Sequence, residues 1–507
     1  MDTKALLAGL PPRISAIVRT RAAATPDAPA LTEPGRAVSY AQLAALVDQY
    51  ILLLRELDVR GGDRLMVVGE NCIAQVALIF AAAAIDAWIV NVNARLSGAE
   101  IDNIRTHSGA RRVLYLAAAS PDAMLHAERD GASSRGDLHI GALNEHCAPE
   151  PIDPTGEQVA ALIYTTGTTG HPKGVMLTHR NLLFIAAVSS TLRGLTPHDR
   201  AYGVLPVSHV YGLASVTLGT LYAGACLMLA PRFSARAMLA AIVDDGLTIL
   251  QGVPAMYARL LELTTEPIPS KLRFLYAGGS PLDPVLKQQV ESVLGMPLHN
   301  GYGMTESSPT ISQTRLDAPR SDTSVGTVIP GVEVRIVDAG GVDVPAGEAG
   351  ELWVRGPNVM KGYYREPAMT AATMRSGGWL NTGDMARQAP DGALFIVGRT
   401  KELIIRSGFN VYPLEVETVL NAHPQVAQSA VVGRPAPGGN EEVVAFVEAK
   451  PADAPSVEAL RAHLAAHLSP YKCPSVIVVM DALPAAATGK ILKGRLKALA
   501  SEVKEAT

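Results

Sequence analysis

Cysteine is scarce in this chain, with four in 507 residues. Cys72, Cys147, Cys226 and Cys473 lie far apart and match neither a metal-ligand spacing nor a disulfide framework. That excludes a cysteine-built metal module and leaves reduced thiols in a cytosol as the expectation. An excess of basic charge is also missing. The 44 Lys and Arg are outnumbered by 48 Asp and Glu, for a net charge of -4 and a pI near 6.3. A polyanion partner needs a concentrated basic surface, so nucleic acid is excluded as a ligand class. No apolar run is long and clean enough to span a bilayer. The most membrane-like stretch, "QVALIFAAAAIDAWIVNVNA", is interrupted by Asp86 and reads as a buried helix followed by a strand. The first residues, broken by Pro11, Pro12 and Arg13, do not make a signal peptide, and "VKEAT" is no peroxisomal or lipidation signal. The expected location is cytoplasmic, without integral membrane association.

What is present is apolar and well patterned. With 48% hydrophobic and 18% charged residues, the chain is globular. Its length implies about three compact units, at roughly 100–200 residues per domain. Ser39 and Gln42 form a capping box ahead of one helical face made by Leu43, Leu46, Val47, Tyr50, Ile51 and Leu54. The strand "RLMVVGE", a helix near Ile73 to Ala84, the strand "AWIVNV", a helix near Gly98 to His107 and the strand "RRVLYL" follow. This alternation predicts an α/β domain with a largely parallel sheet. "TILQGVPAMYARLLEL" and "KLRFLYAGGSPLDPVLKQQVESVLG" each add a strand and a helix. From about Ser324 to residue 398, Gly- and Pro-punctuated β segments predict a small antiparallel subdomain. After Arg399 an α+β pattern returns, with "LEVETVLNAHP" and "SVEALRAHLAAHL" as helices. The division expected is therefore 1–398 and 399–507.

The stretch "LIYTTGTTGHPKGVMLTH" is dense in glycine and hydroxyls. Glycines let backbone N–H groups approach a ligand, and hydroxyls with a lysine suit phosphate oxygens. The P-loop pattern is not met, because Lys173 follows Pro172 and precedes Gly174. By itself the loop reads equally well as a flexible Gly/Thr surface segment.

"AGGSPL", "HNGYGMTE", "GELWVRG", "WLNTGD", "GRTKELIIRSGFNVYPLEVE" and "AATGKILK" follow it in order. With these the chain resembles the adenylate-forming superfamily of AMP-forming acyl-CoA synthetases, luciferases and peptide-synthetase adenylation domains. The resemblance covers roughly residues 160–495 and implies a large N-terminal domain with a small mobile C-terminal one. It implies ATP, Mg²⁺ and CoA, with acyl-AMP formed first and a thioester second. It assigns Thr165, Thr166, Gly167, Thr168, Thr169, Gly170 and Lys173 to the phosphates, Thr305 to the α-phosphate and Glu306 to the metal. Tyr302 lies against adenine, with Gly279, Ser280, Asn300 and Gly301 around it, and Asp384 and Arg399 take the ribose. Lys490 serves adenylation, Lys401 is the hinge, and Gly408 and Asn410 lie toward CoA and AMP in the second step. Lys493, Arg495 and Lys497 read as a solvated face.

The same resemblance lines the acyl pocket with "SHVYGLASV", "QGVPAM", "AGGSPL" and "MTESSPTIS", and makes His209 the gate of its tunnel. Glu306 apart, these segments carry no formal charge. A buried second carboxylate would need a cation, so the expected substrate is an aryl or medium aliphatic acid with an uncharged tail. Gly212, Ala214, Ser215 and Ala255 are expected to leave room for it, and Tyr211 to stack on a ring. An acyl-AMP ligase serving a carrier protein and a dicarboxylate:CoA ligase stay open as alternatives, as does a homodimer.

Overall fold

The computed structural model describes residues 2–166, 172–406, 409–436, 440–450, 454–485 and 491–502. Two large sheets form the body. One has nine strands, with the parallel set Pro29–Glu33, Cys226–Leu229, Arg200–Gly203, Ile249–Gly252, Phe274–Ala277 and Leu298–Gly303 at its centre. The other has eight, built on parallel Arg64–Gly69, Trp88–Asn93, Arg112–Tyr115 and Val159–Thr166. One hydrophobic core runs through this body from Ile14 to Leu380.

Local chemistry explains the elements. Ser39 and Gln42 cap the helix Tyr40–Glu56 reciprocally. The helix Ile73–Ala84 is buried over nearly all its length, as its sequence, apolar except for Gln75, requires. It ends where Asp86 adopts a positive φ of 60° and pairs with Arg13. The strand Trp88–Asn93 follows, so the membrane-like run is interior packing. No helix among the described residues is long and apolar enough to cross a membrane.

The β-rich stretch is less self-contained than the sequence suggests. Glu333–Val337, Gly350–Arg355, Met374–Arg375, Trp379–Gln388 and Leu394–Arg399 make an antiparallel sheet of their own. Thr327–Val328, however, extends the nine-stranded sheet, and Gly362–Tyr363 adds an edge to the eight-stranded one. Main-chain pairing over two residues leaves no pattern to read in advance. The C-terminal part has separate cores around the strands Val426–Ala436, Asn440–Ala449 and Val476–Met480, with the helices Pro413–Asn421, Val457–His467 and Lys493–Glu502. The fold is thus a large N-terminal α/β domain with a small C-terminal one.

Candidate active site

Val159–Thr166 and Pro172–Thr178 pair antiparallel and place Thr165 opposite Lys173. Gly167, Thr168, Thr169 and Gly170, between these strands, lie outside the described residues, as do Gly408 and Lys490. Lys173 Nζ sits 5.6 Å from the centre of the Tyr363 ring. The Tyr363 hydroxyl donates to Glu306 Oε1 at 2.7 Å. Tyr363 thereby connects the cation of the hairpin with the carboxylate of the short 3₁₀ turn Thr305–Ser307. Its pairing with Val175 and the bond from Met360 N to Glu306 O, 2.9 Å, hold the two in register. Burial and the negative charge of Glu306 raise the Tyr363 phenol, so it stays a donor. Sequence reasoning missed Tyr363. The signal was "KGYYREP", which carries no charge pattern of its own.

A second group lies at the end of Leu298–Gly303. Tyr302 donates its hydroxyl to Asp384 Oδ2, and Arg399 Nε stands 3.4 Å from Asp384 Oδ1. Asp384 and Arg399 face each other across neighbouring strands, and Asp384 N donates to Thr382 Oγ1 at 3.1 Å. Burial raises the Asp384 carboxyl above the usual range, although Arg399 and the Tyr302 hydroxyl pull it down. Tyr302, Asp384 and Arg399 are thus one cluster. Thr305 is buried at the start of its turn.

Other assignments fare differently. The Asn300 amide donates to the carbonyls of Thr323 and Ser324 at 3.1 and 3.2 Å. Its carbonyl accepts from Gly301 N at 2.9 Å, so in this structure its side chain pins a loop. Gly301 is required by close approach, because a Cβ there would lie 1.8 Å from the Tyr276 hydroxyl. Gly279 needs its glycine for a φ of +83°, and Ser280 is exposed. His209 is exposed ahead of the π-helical segment Tyr211–Leu218, and its Nδ1 accepts from Tyr211 N at 3.2 Å.

Gly212 does not supply room. A Cβ there would meet the Pro206 carbonyl at 2.2 Å, so this glycine exists to let the π-helical turn pack. Ala255 is exposed. Lys401 is exposed in the turn Thr400–Glu402, and Asn410 is exposed opposite Ile405. Arg406 donates to the carbonyls of Tyr471 and Cys473. Lys493 corrects the solvated-face reading: it pairs with Glu402 and Glu417, both at 2.8 Å. Helical spacing alone did not reveal those two carboxylates, which lie far away in sequence.

Among the described residues the site brings Lys173 and Thr165 to one strand end and the Glu306 carboxylate to a turn linked to it by Tyr363, with the Tyr302–Asp384–Arg399 cluster as a second group. Such an arrangement suits a nucleoside polyphosphate and its charge redistribution. The comparisons with known proteins agree. A family model described as AMP-binding enzyme matches residues 18–364, and one described as AMP-binding enzyme C-terminal domain matches 415–490. Feruloyl-CoA synthase of Amycolatopsis sp is 36% identical over 94% of this chain and 97% of its own length. Indoleacetate–CoA ligase of Aromatoleum aromaticum is 36% identical over 94% and 95%. The O-succinylbenzoate coenzyme A synthetase of Bacillus subtilis, in complex with ATP and magnesium ion, superposes with a TM-score of 0.82 at 30% identity, covering 95% of this chain and 99% of its own. The chain belongs to the AMP-binding enzyme family and is an AMP-forming acid:CoA ligase.

Proposed function

We propose that this ligase activates an aryl or medium aliphatic acid with an uncharged tail, working in the cytosol, and that residues 1–398 and 399–507 are its two catalytic domains. The observation that carries the reading of the site is the Lys173–Tyr363–Glu306 connection, which joins a cation and a carboxylate at the mouth of the glycine-rich hairpin. The substrate carboxylate attacks the α-phosphorus of ATP, forming a C–O–P mixed anhydride and expelling pyrophosphate. The CoA thiol then attacks the acyl carbon, AMP leaves, and the thiol proton passes to solvent. Lys173 and Thr165 bind the β- and γ-phosphates, and Thr305 bonds the α-phosphate. Tyr302 lies against adenine, and Asp384 with Arg399 takes the ribose. Lys490 neutralises the two anions that meet in the first step, and Lys401 is the pivot between steps.

The donor set fits Mg²⁺. Among the described residues no group of three or more His, Cys, Asp or Glu could form a protein cage, and Mg²⁺ bound to phosphates characteristically needs only one or two carboxylates. Glu306 would hold it, with Tyr363 donating to one of its carboxylate oxygens. When bound, the ion neutralises charge on the phosphates. Aryl acids are favoured by the buried Tyr211 and by the names of the two relatives above. The test is incubation with ATP, Mg²⁺ and a panel of carboxylic acids, with and without CoA. Release of pyrophosphate and a CoA thioester from aryl acids is expected. Pyrophosphate without thioester would overturn CoA as the acceptor.

A further inference from the structure

Gly174 follows Lys173 in the strand Pro172–Thr178, and the space its missing side chain leaves is taken by a neighbour. Tyr164 is its cross-strand partner. A Cβ on Gly174 would meet Tyr164 Cζ at 3.2 Å and the hydroxyl at 3.3 Å, so the glycine is what lets this ring lie across the strand. On the other edge Tyr364 N donates to Gly174 O at 2.8 Å, beside the pairing of Tyr363 with Val175. The strand that carries Lys173 is held between two segments that each bring a tyrosine.

Both tyrosines meet one histidine. His107 Nδ1 and the Tyr164 hydroxyl are hydrogen-bonded at 2.8 Å, and Ser108, next along the helix Gly98–Ser108, bonds the same hydroxyl. The His107 ring stands edge-on to Tyr164 and to Tyr364, with centres 5.6 and 6.1 Å apart. Its main-chain carbonyl accepts from Arg365 Nη1 at 2.9 Å, and the Tyr364 hydroxyl donates to Glu150 at 2.6 Å. Burial and the Arg365 guanidinium push the His107 pKa down, against a smaller pull from Glu366, so the ring is uncharged at pH 7. Burial keeps the Tyr164 phenol protonated. Tyr164 and Gly174 are the pair directly behind Thr165 and Lys173. A shift of the first pair therefore moves both members of the second, and a displacement of about 1 Å can cost on the order of 10²-fold in rate.

We propose that His107 is a positioning residue for ATP: through Tyr164 it fixes the strand pair that carries Thr165 and Lys173 to the helix Gly98–Ser108, so that both stand ready for the β- and γ-phosphates. This rests on the phosphate reading of the hairpin given above and adds to it a residue that acts only through another side chain. Its effect is confined to ligands that carry those two phosphates.

The experiment measures the affinity of the full chain for ATP with Mg²⁺ and for AMP by titration calorimetry, with neither acid nor CoA present, in the wild type and in His107→Leu, His107→Asn, Tyr164→Phe and Lys173→Ala. His107→Leu and Tyr164→Phe should each weaken ATP by about 5- to 10-fold, the reach of one hydrogen bond, and leave AMP unchanged. The double variant should lose no more than either alone, and His107→Asn, whose amide can take the place of Nδ1, should recover most of the loss. Equal weakening of ATP and AMP would make His107 a general support of the fold and overturn the proposal. So would an unchanged ATP affinity in both His107→Leu and Tyr164→Phe. Tyr164→Phe keeps the ring in place and carries the test if His107→Leu fails to fold. Lys173→Ala separates the two readings: if it weakens ATP and His107→Leu does not, only this proposal falls, whereas an unchanged ATP affinity in Lys173→Ala removes the phosphate reading of the hairpin as well.

Discussion

Arg64 and Arg193 are both almost wholly enclosed, at 0% and 1% exposure, but in different company. Arg64 donates to the carbonyls of Ser108, Gly62 and Ala148 at 3.0, 2.8 and 2.9 Å and to Cys147 Sγ at 3.2 Å. It ties the strand Arg64–Gly69 to two loops and has its donors occupied. Arg193 has one amide oxygen, the ring and hydroxyl of Tyr276, and an Nε with no partner among the described residues. The first arginine has all the acceptors a structural cation requires. The second is a buried charge with one N–H unanswered among the described residues. Burial of a charge therefore does not reveal its purpose. The census of its partners does.

Replacing Arg64 should have the largest effect on stability. Arg64→Met removes the arginine donors of the Ser108 and Ala148 carbonyls, at about 1–3 kcal/mol each where no water replaces them, while the Gly62 carbonyl keeps Glu150 N. Thermal unfolding should show a steep loss, and a variant as stable as wild type would erase the contrast with Arg193. A cation that touches reacting atoms should behave unlike either arginine. Lys490→Ala is expected to slow adenylation about 10²–10³-fold, with thioester formation from supplied acyl-AMP spared and stability unchanged. Equal loss in both half-reactions, measured separately, would refute that assignment.

Acid should strain the Arg193 region through His299. Its folded pKa of about 4 lies below an unfolded value of about 6.5, so the unfolded chain binds the extra proton. Stability from the neutral ring is fully present above pH 6.5 and is lost as pH falls toward 4, to the extent of about 3 kcal/mol. His179, lowered to about 3 by burial, acts in the same sense. His299→Asn should therefore flatten, without abolishing, the decline in unfolding free energy between pH 6.5 and 4. An unchanged slope would show that the ring is solvated. The smallest effect is expected at Tyr363. Tyr363→Phe removes one hydrogen bond to Glu306, of about 1 kcal/mol in net worth, and should raise the Mg²⁺ concentration for half-maximal pyrophosphate release several-fold. An unaltered Mg²⁺ dependence would detach Tyr363 from the metal site.

The parts of the fold that were legible in advance are those set by local physics. The helix Ile73–Ala84, the capping box at Ser39 and the strands Arg64–Gly69 and Trp88–Asn93 follow from periodicity, caps and apolar runs within a few residues. The ordered motifs marked the candidate site in the same way, because Thr165, Lys173, Thr305, Glu306, Tyr302, Asp384 and Arg399 each stand in short strings. What stayed hidden are pairings across long separations. Thr327–Val328 and Gly362–Tyr363 join different large sheets, and Lys493 meets Glu402 and Glu417 across a distance that no helical spacing encodes.

By itself, then, the sequence determined an α/β chain with an adenylating chemistry and an expectation that the acyl pocket was uncharged. Each of these rests on residues adjacent in the chain or on motifs in fixed order. Only the tertiary structure decided that Asn300 pins a loop, that Gly212 serves packing, that Tyr363 joins Lys173 to Glu306, and that Arg193 is buried with one N–H unanswered among the described residues. The reason is physical. Hydrogen-bond satisfaction and desolvation depend on which groups folding brings within about 3 Å of one another, and for Arg193 and Gln251 that proximity spans 58 positions of sequence.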